Sequence, residues 1–534
     1  MSQNIEQFAS ANQDQQSPAN TLMQKLRSPK FIVILLIVLG FGLRVWGINY
    51  GLPYLYHPDE PMVQNSLVML KTNDLNPHFF GYGSLFFYIN ALAYWIYYLL
   101  GRLAGVFSSV SDIPYFQLLG LGVGRSLMPS QIILGRLVSV LLGILCIPVA
   151  YWLGLQLSNR RVGILSAIFV TLSAPLVIHS QYITPNMLTT FLVLLTLAVL
   201  VKSAGWSPRL SAILIGIVFG CAVASKYNAA LLAIPCAVTY FWQEGWHVLK
   251  KPYPYIAALV AGLTFLAVTP YAILDFSKFW TDTIFHLQYY RVNSHPGMEG
   301  NTVRFYLNYL FKEEGLIVFL SILPIISYLK NRNRTGLILA SFALPYTLYI
   351  ATLDIRNDRT ILITLPILLI MAADVLDMVW QWVKKHDSLR FRQAALALLA
   401  GFVFLSSGYL LYRTTQSNIR KTTVDGREYA RQWIEANVPD GTRIAVESYT
   451  PFLDQTRYDV TYISQLMLNS PDWYRQEGYD LLIFSSGQFA RYYADPLRYS
   501  DQVTKYDALW EQFPEVKYFD KNGITIRVYQ VSNN

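Results

Sequence analysis

Long apolar runs recur along this chain from Phe31 to about Tyr412, parted by short polar loops. Crossing a bilayer takes about 20 apolar residues at about 1.5 Å each, and fewer where a segment is short or broken. Inside hydrocarbon a chain must satisfy its own backbone hydrogen bonds, which leaves helices as the economical solution for runs of this kind. The chain is therefore expected to be a polytopic all-α membrane protein. Eleven runs qualify as spans: 31–50, 131–153, 162–180, 187–203, 210–226, 228–243, 254–272, 315–329, 335–353, 360–380 and 393–413. The composition agrees, with 53% hydrophobic and only 14% charged residues, against roughly 25% charged in soluble domains.

Basic residues set the orientation, because short cytoplasmic loops collect Lys and Arg. Lys25, Arg27 and Lys30 precede the first run, and Arg160 and Arg161 follow the second. Arg209, Lys250 and Lys251, Lys330 with Arg332 and Arg334, and the group from Lys384 to Arg392 fall in alternate loops after that. All of them land on one face if residues 84–105 do not cross. That run is rich in aromatic residues, as interfacial segments are, and is expected to lie in the outer leaflet. Residues 1–30 are expected to be a disordered cytoplasmic leader and 31–422 the membrane domain. Residues 423–534, where charge rises, are expected to form a small extracytoplasmic α/β domain, with strands at "TRIAVES", "YDLLIFSS" and "GITIRVYQV". The net charge of +9 is accounted for by the loop clusters and gives no reason to expect nucleic acid. Cys146, Cys221 and Cys236 all sit in apolar runs, so no disulfide framework is expected.

With this threading, the outer face gathers the ionisable side chains. "HPDE", with His57, Asp59 and Glu60, opens the first loop, and "HSQYITPN" (179–186) follows the third span. Lys226 and Tyr227 follow the fifth, the loop 273–314 carries Tyr289 and "SHPGMEG", and "DIRNDR" (354–359) precedes the tenth. A carboxylate there can act as a general base or a metal ligand. Arg and Lys can hold a phosphate, Arg through a bidentate fork. A reaction that needs both is glycosyl transfer from a lipid-phosphate sugar, in which cations stabilise the leaving phosphate. No nucleotide-binding motif is present; "GLGVG" (120–124) lacks the strand–helix setting. The histidines at 57, 78, 179, 286 and 295 show no metal-ligand spacing. The rival reading is a transporter of a polar or lipid-linked substrate, but no internal repeat stands out.

These stretches resemble the GT-C membrane glycosyltransferases. More narrowly, they resemble the branch that holds protein O-mannosyltransferases, the lipid A aminoarabinose transferase and the bacterial phospholipid carrier-dependent transferases. "HPDE", the stretch 135–194, "VTPYAILDFSKF", "SHPGMEG" and "RNDRTILITLP" carry the likeness over about residues 31–380. The resemblance implies a polyprenyl-phosphate sugar donor, a bilayer setting and an acceptor hydroxyl of unspecified kind, with hexose or pentose left open. It implies Asp59 as the catalytic base with Glu60 beside it, and Arg356, Arg359 and Lys226 at the carrier phosphate. His57, Asn186, Tyr289 and His295 are expected to bind substrate. Many relatives have a second acid where this chain has Asn186. An amide cannot balance a divalent ion as a carboxylate does, so a metal is left open and no other cofactor is expected.

Reporter fusions at Asn159 and at the C-terminus should report opposite sides of the membrane; the same side for both would contradict the threading.

Overall fold

The computed structural model describes residues 28–291 and 295–531. The expected leader lies outside these except at its end, where Ser28 caps and Pro29 opens the first helix, Pro29–Val45. Each of the eleven apolar runs is helical over most of its length. Five described helices are both long and apolar enough to cross a membrane, and up to seven spans result if each of two bent pairs counts as one. Helix Leu85–Leu103 is not among the five. It buries Phe86, Phe87, Tyr94 and Tyr98 and packs on the helices Pro129–Leu157 and Pro208–Ser225. The chain is a multi-pass membrane protein. Its last membrane helix, Leu389–Thr422, leaves Leu398, Phe404 and Leu405 more than two-thirds exposed, as suits a surface in lipid.

One break in these helices has a clear cause. Pro175 has no N–H, so it cannot bond the carbonyl of Thr171, and the helices Arg160–Leu172 and Ala174–Ser180 meet at 55°. The freed carbonyls must find donors away from water. Arg44, fully buried, supplies them: its guanidinium donates to the carbonyls of Val170 at 3.2 Å and Thr171 at 3.4 Å. A similar repair secures the end of the first helix. Asn418 and Gln181 donate to the carbonyls of Leu43 and Trp46, and Gln181 also bonds Asn418. Leu410, Thr414 and Asn418, four residues apart, form the seam by which the last membrane helix holds to the rest. These contacts set the turn 179–186 beside the end of the first helix.

A second lock fixes the first loop. Arg136, on the helix Pro129–Leu157, and Glu60 are both fully buried and form a bidentate pair at 2.7 and 2.8 Å. The remaining nitrogen of Arg136 donates to the carbonyls of Ile48 and Tyr50. Glu60 also accepts from the Ile183 N–H at 3.2 Å. Burial alone would raise the Glu60 carboxyl, but the Arg136 charge and hydrogen bonds hold it below its ordinary value.

Beyond the membrane helices the chain forms a five-stranded sheet. In chain order its strands follow a hairpin in the first loop, β1 (Gln117–Gly120) and β2 (Val123–Arg125). They are β3 (Arg443–Val446), β4 (Asp459–Tyr462), β5 (Leu481–Ser485), β6 (Glu515–Lys521) and β7 (Ile524–Gln530), in the order β4-β3-β5-β7-β6. Strands β4, β3 and β5 run parallel, and β7 and β6 are antiparallel additions. All five residues of β5 are buried, as a central strand covered on both faces requires. Helix Gly426–Asn437 lies on one face through Ala430 and Ile434, and Ser500–Gln512 on the other through Tyr506 and Leu509. Tyr429, one residue before Ala430, is 40% exposed. Strands β4 and β6 were not anticipated; β6 is largely exposed and polar, so its sequence carries no burial signal. The glycine cluster 120–124 is the β1–β2 turn, with Gly122 at φ +67°, and it meets the tail: the Tyr449 N–H donates to the Leu121 carbonyl at 2.9 Å.

Removing one partner of a buried ion pair costs about 3–5 kcal/mol, whereas replacing both by apolar residues is often neutral. Glu60→Gln should therefore lower the thermal unfolding midpoint of the purified protein sharply. The double variant Glu60→Leu with Arg136→Met should recover only part of the loss, because the Ile48 and Tyr50 carbonyls and the Ile183 N–H then lose their partners. An unfolding midpoint unchanged in Glu60→Gln would mean the pair does not hold the loop.

Candidate functional site

Neighbouring residues of "HPDE" go opposite ways. Pro61 opens a short helical turn, Glu60–Val63, which carries Glu60 inward to Arg136. Asp59, one residue earlier, stays about one-third exposed and pairs with Arg359, which is equally exposed. The Asp59 N–H donates to His57 Nδ1 at 3.2 Å, and the His57 ring stacks on Tyr182 at 4.0 Å. Burial pushes the His57 imidazole down to about 3, so it stays neutral and can keep accepting that hydrogen bond. His57 thus positions the backbone of Asp59.

Arg359 reaches Asp59 from a short turn, Asp358–Ile361, whose N-cap Asn357 accepts from the Thr360 N–H at 3.1 Å. Next to it, Asp358 faces His179 at 3.6 Å. Burial would raise the Asp358 carboxyl, but the neighbouring His179 imidazole and the Arg359 backbone N–H keep it below its ordinary value. Loop 354–359 is thereby pinned to both the first loop and the turn after the third predicted span. Thr360 in turn lines a small cavity of about 90 Å³ with Lys226, Tyr227, His286 and Tyr290. Lys226 donates from that cavity to the Asn186 side-chain oxygen at 2.9 Å, and Asn186 to Thr184 at 3.1 Å. Three residues before Asn186 lies Ile183, which bonds Glu60. The contacts close a circuit: Asp59, Arg359, the Thr360–Lys226 cavity, Asn186, Ile183 and back to Glu60.

Other expected residues stand further out or do other work. Glu60, expected beside Asp59 as a catalytic group, has both oxygens bonded and no exposed surface, so its place is that of a brace. Arg356, expected with Arg359 at one phosphate, is turned away. It donates to the carbonyls of Met298 and Glu299, lies over the Phe305 ring at 5.5 Å, and lines a separate open cavity of about 510 Å³ with Arg304 and Lys312. Its contacts tie it to the loop 295–300. Tyr289 and His295 meet edge to face at 5.9 Å at the rim of the site. Burial, and then the nearby Arg491 charge, hold the His295 imidazole below its ordinary value.

Sequence reasoning did not single out the residues that the tail brings here, Tyr449 and Arg491. Both follow carboxyl ends of parallel strands, Tyr449 after β3 and Arg491 in the helix after β5, where open α/β sheets place ligand-facing loops. The predicted strands "TRIAVES" and "YDLLIFSS" contained that signal. A divalent metal does not fit the residues present. Among the described residues no three His, Cys, Asp or Glu side chains converge as a ligand set. A cation already faces each acceptor group: Arg359 at Asp59, Arg136 at Glu60 and Lys226 at Asn186.

Comparison with known proteins follows the same lines. The family described as dolichyl-phosphate-mannose-protein mannosyltransferase matches residues 114–271. No curated protein matches the chain by sequence. The fold is similar to that of ArnT from Cupriavidus metallidurans bound to undecaprenyl phosphate, with 14% identity and a TM-score of 0.54 over 93% of this chain and 97% of that one. It is also similar to the archaeal oligosaccharyltransferase AglB from Archaeoglobus fulgidus, in complex with an inhibitory peptide and a dolichol-phosphate. There the identity is 12% and the TM-score 0.54, over 95% of this chain and 75% of that one. Sequence motifs, the matched stretch and the architecture agree: this chain has the fold of the GT-C membrane glycosyltransferases.

Proposed function

We propose that this protein transfers a sugar from a polyprenyl-phosphate carrier to an acceptor hydroxyl at the extracytoplasmic face of the membrane. The observation that carries this reading is the Asp59–Arg359 pair, partly exposed and set on a buried lock. A base and a phosphate-binding cation are held in contact, and the cation can leave for a better partner. Two proteins of this fold were captured with undecaprenyl phosphate and dolichol-phosphate, the same chemical class of ligand.

In this reading the carrier phosphate draws Arg359 from Asp59, since Arg pairs a phosphate with two parallel hydrogen bonds. Asp59, now without its cation, accepts the proton of the acceptor hydroxyl. That oxygen bonds the anomeric carbon as the bond from that carbon to the phosphate oxygen breaks. Charge developing on the leaving phosphate is met by Arg359 and by Lys226, which is held at Asn186 in advance. Glu60, Arg136 and His57 act as positioning residues for Asp59. Arg356 serves the outer loop 295–300, and Tyr289 and His295 form the rim that the acceptor passes. Transport is the weaker reading, because the buried charges of the spans are engaged in structural bonds. Arg44 caps a broken helix, and Asp374 and Asp377 bond Ser158, Tyr328 and Arg161.

Side-chain acid–base catalysis is typically worth about 10²- to 10⁴-fold. Transfer of labelled sugar from a panel of polyprenyl-phosphate hexoses and pentoses should fall by that order in Asp59→Asn. Arg359→Lys should also be impaired, because an ammonium lacks the fork, and Arg356→Ala should be milder. Asp275→Asn is the control, its carboxylate being bonded to Asn76. Wild-type turnover in Asp59→Asn with a dead Asp275→Asn would show that the wrong carboxylate has been named.

A further inference from the structure

Tyr449 is one of few non-glycine residues with a left-handed backbone, at φ +65°. For a bulky aromatic residue this conformation is unfavourable and persists only where the surroundings impose it. Here they do. The Tyr449 N–H donates to the Leu121 carbonyl of the first loop at 2.9 Å. The Tyr449 carbonyl accepts from the Ser485 hydroxyl at the end of β5, also at 2.9 Å. Glycines stand on both sides of the side chain: a Cβ at Gly487 would come within 2.7 Å of the Tyr449 Cβ, and one at Gly122 within 2.8 Å of the ring. The first loop and the tail together hold this ring in one place.

The ring meets a guanidinium there. The Arg491 guanidinium carbon lies 4.8 Å from the Tyr449 ring centroid, and the Arg491 stem packs on Gly297 of the outer loop. The next arginine, Arg498, is neutralised by Glu299 at 3.2 Å. Arg491 forms no ion pair among the described residues. Gly297 lies two residues after His295, which meets Tyr289 edge to face at 5.9 Å, so the Arg491 stem lies against the rim of the site. A phenol donor and a guanidinium that makes no ion pair among the described residues, side by side, form a surface for a negatively charged oxygen.

We propose that Tyr449 and Arg491 form an oxyanion-binding subsite that the tail contributes to the transfer site, its ligand a phosphate or carboxylate group borne by the substrates. The inference rests on reading the outer face as a transfer site. Its test reads binding and not transfer, so the two can fail separately.

Full-length protein in lipid nanodiscs is titrated with undecaprenyl phosphate and with undecaprenol, which has the same chain without the charge. Wild type should prefer the phosphate. Arg491→Gln should lose roughly tenfold of that preference, the effect of one charge-assisted hydrogen bond, with undecaprenol binding unmoved. Arg491→Lys should lose less, and Tyr449→Phe, which keeps the ring, should lose part of it. In a second arm, inorganic phosphate should raise the unfolding midpoint of wild type more than that of Arg491→Gln. If only the second arm responds, the subsite serves an anion other than the carrier's. If Arg491→Gln does not fold, Arg491→Lys and Tyr449→Phe decide on the same readouts. An unchanged lipid preference together with an unchanged response to inorganic phosphate overturns the proposal.

Discussion

The candidate site depends on the buried pair of Glu60 and Arg136. Taking two charges out of water costs several kcal/mol per ion, and attraction offsets this only where the remaining hydrogen-bond capacity is filled. Here it is filled: Arg136 serves both Glu60 oxygens and the carbonyls of Ile48 and Tyr50, and Glu60 receives the Ile183 N–H. A single ion pair therefore joins the end of the first helix, the first loop, a membrane helix and the turn after the bent third span. Asp59 gains its position from its neighbour: with Glu60 anchored inward, the adjacent side chain is left at the surface, facing Arg359.

The rest of the site is assembled by contacts of the same kind between distant segments. Loop 354–359 is held by Asp358 to His179, and Lys226 is held by Asn186. The tail packs on the loops of the site. It touches the first loop through Leu121 and Tyr449, and the loop 295–300 through Arg498 and Tyr499 on Glu299. These loops are consequently enclosed between membrane helices and a folded α/β unit, where charges are less screened than on an open surface.

Much of this was legible in the sequence, for physical reasons that differ by element. Hydrocarbon demands long apolar helices, so the membrane segments announce themselves, and their ends in the structure fall within a few residues of the runs for helices such as Asn186–Lys202 and Pro208–Ser225. Asp59 and Arg359 were also in view, through motifs. What could not be read was direction. Nothing in "HPDE" says that Asp59 and Glu60 diverge, because the turn begun by Pro61 and the partner Arg136, 76 residues away, decide it. Arg356 and Arg359 look equivalent in "DIRNDR", yet three residues of loop turn them to different partners. The exposed edge strand β6 lacked a burial pattern. The role of the tail depended on which end of its sheet meets the membrane helices, a fact of docking that local sequence does not encode.

The central claim is that Asp59 and the carrier phosphate compete for Arg359. Affinity for undecaprenyl phosphate, measured in Asp59→Asn and Arg359→Gln, tests it most directly. With its carboxylate partner neutralised, Arg359 is free for the ligand, so Asp59→Asn should bind undecaprenyl phosphate at least as tightly as wild type while Arg359→Gln binds it more weakly. Equal losses of affinity in the two variants would contradict the account.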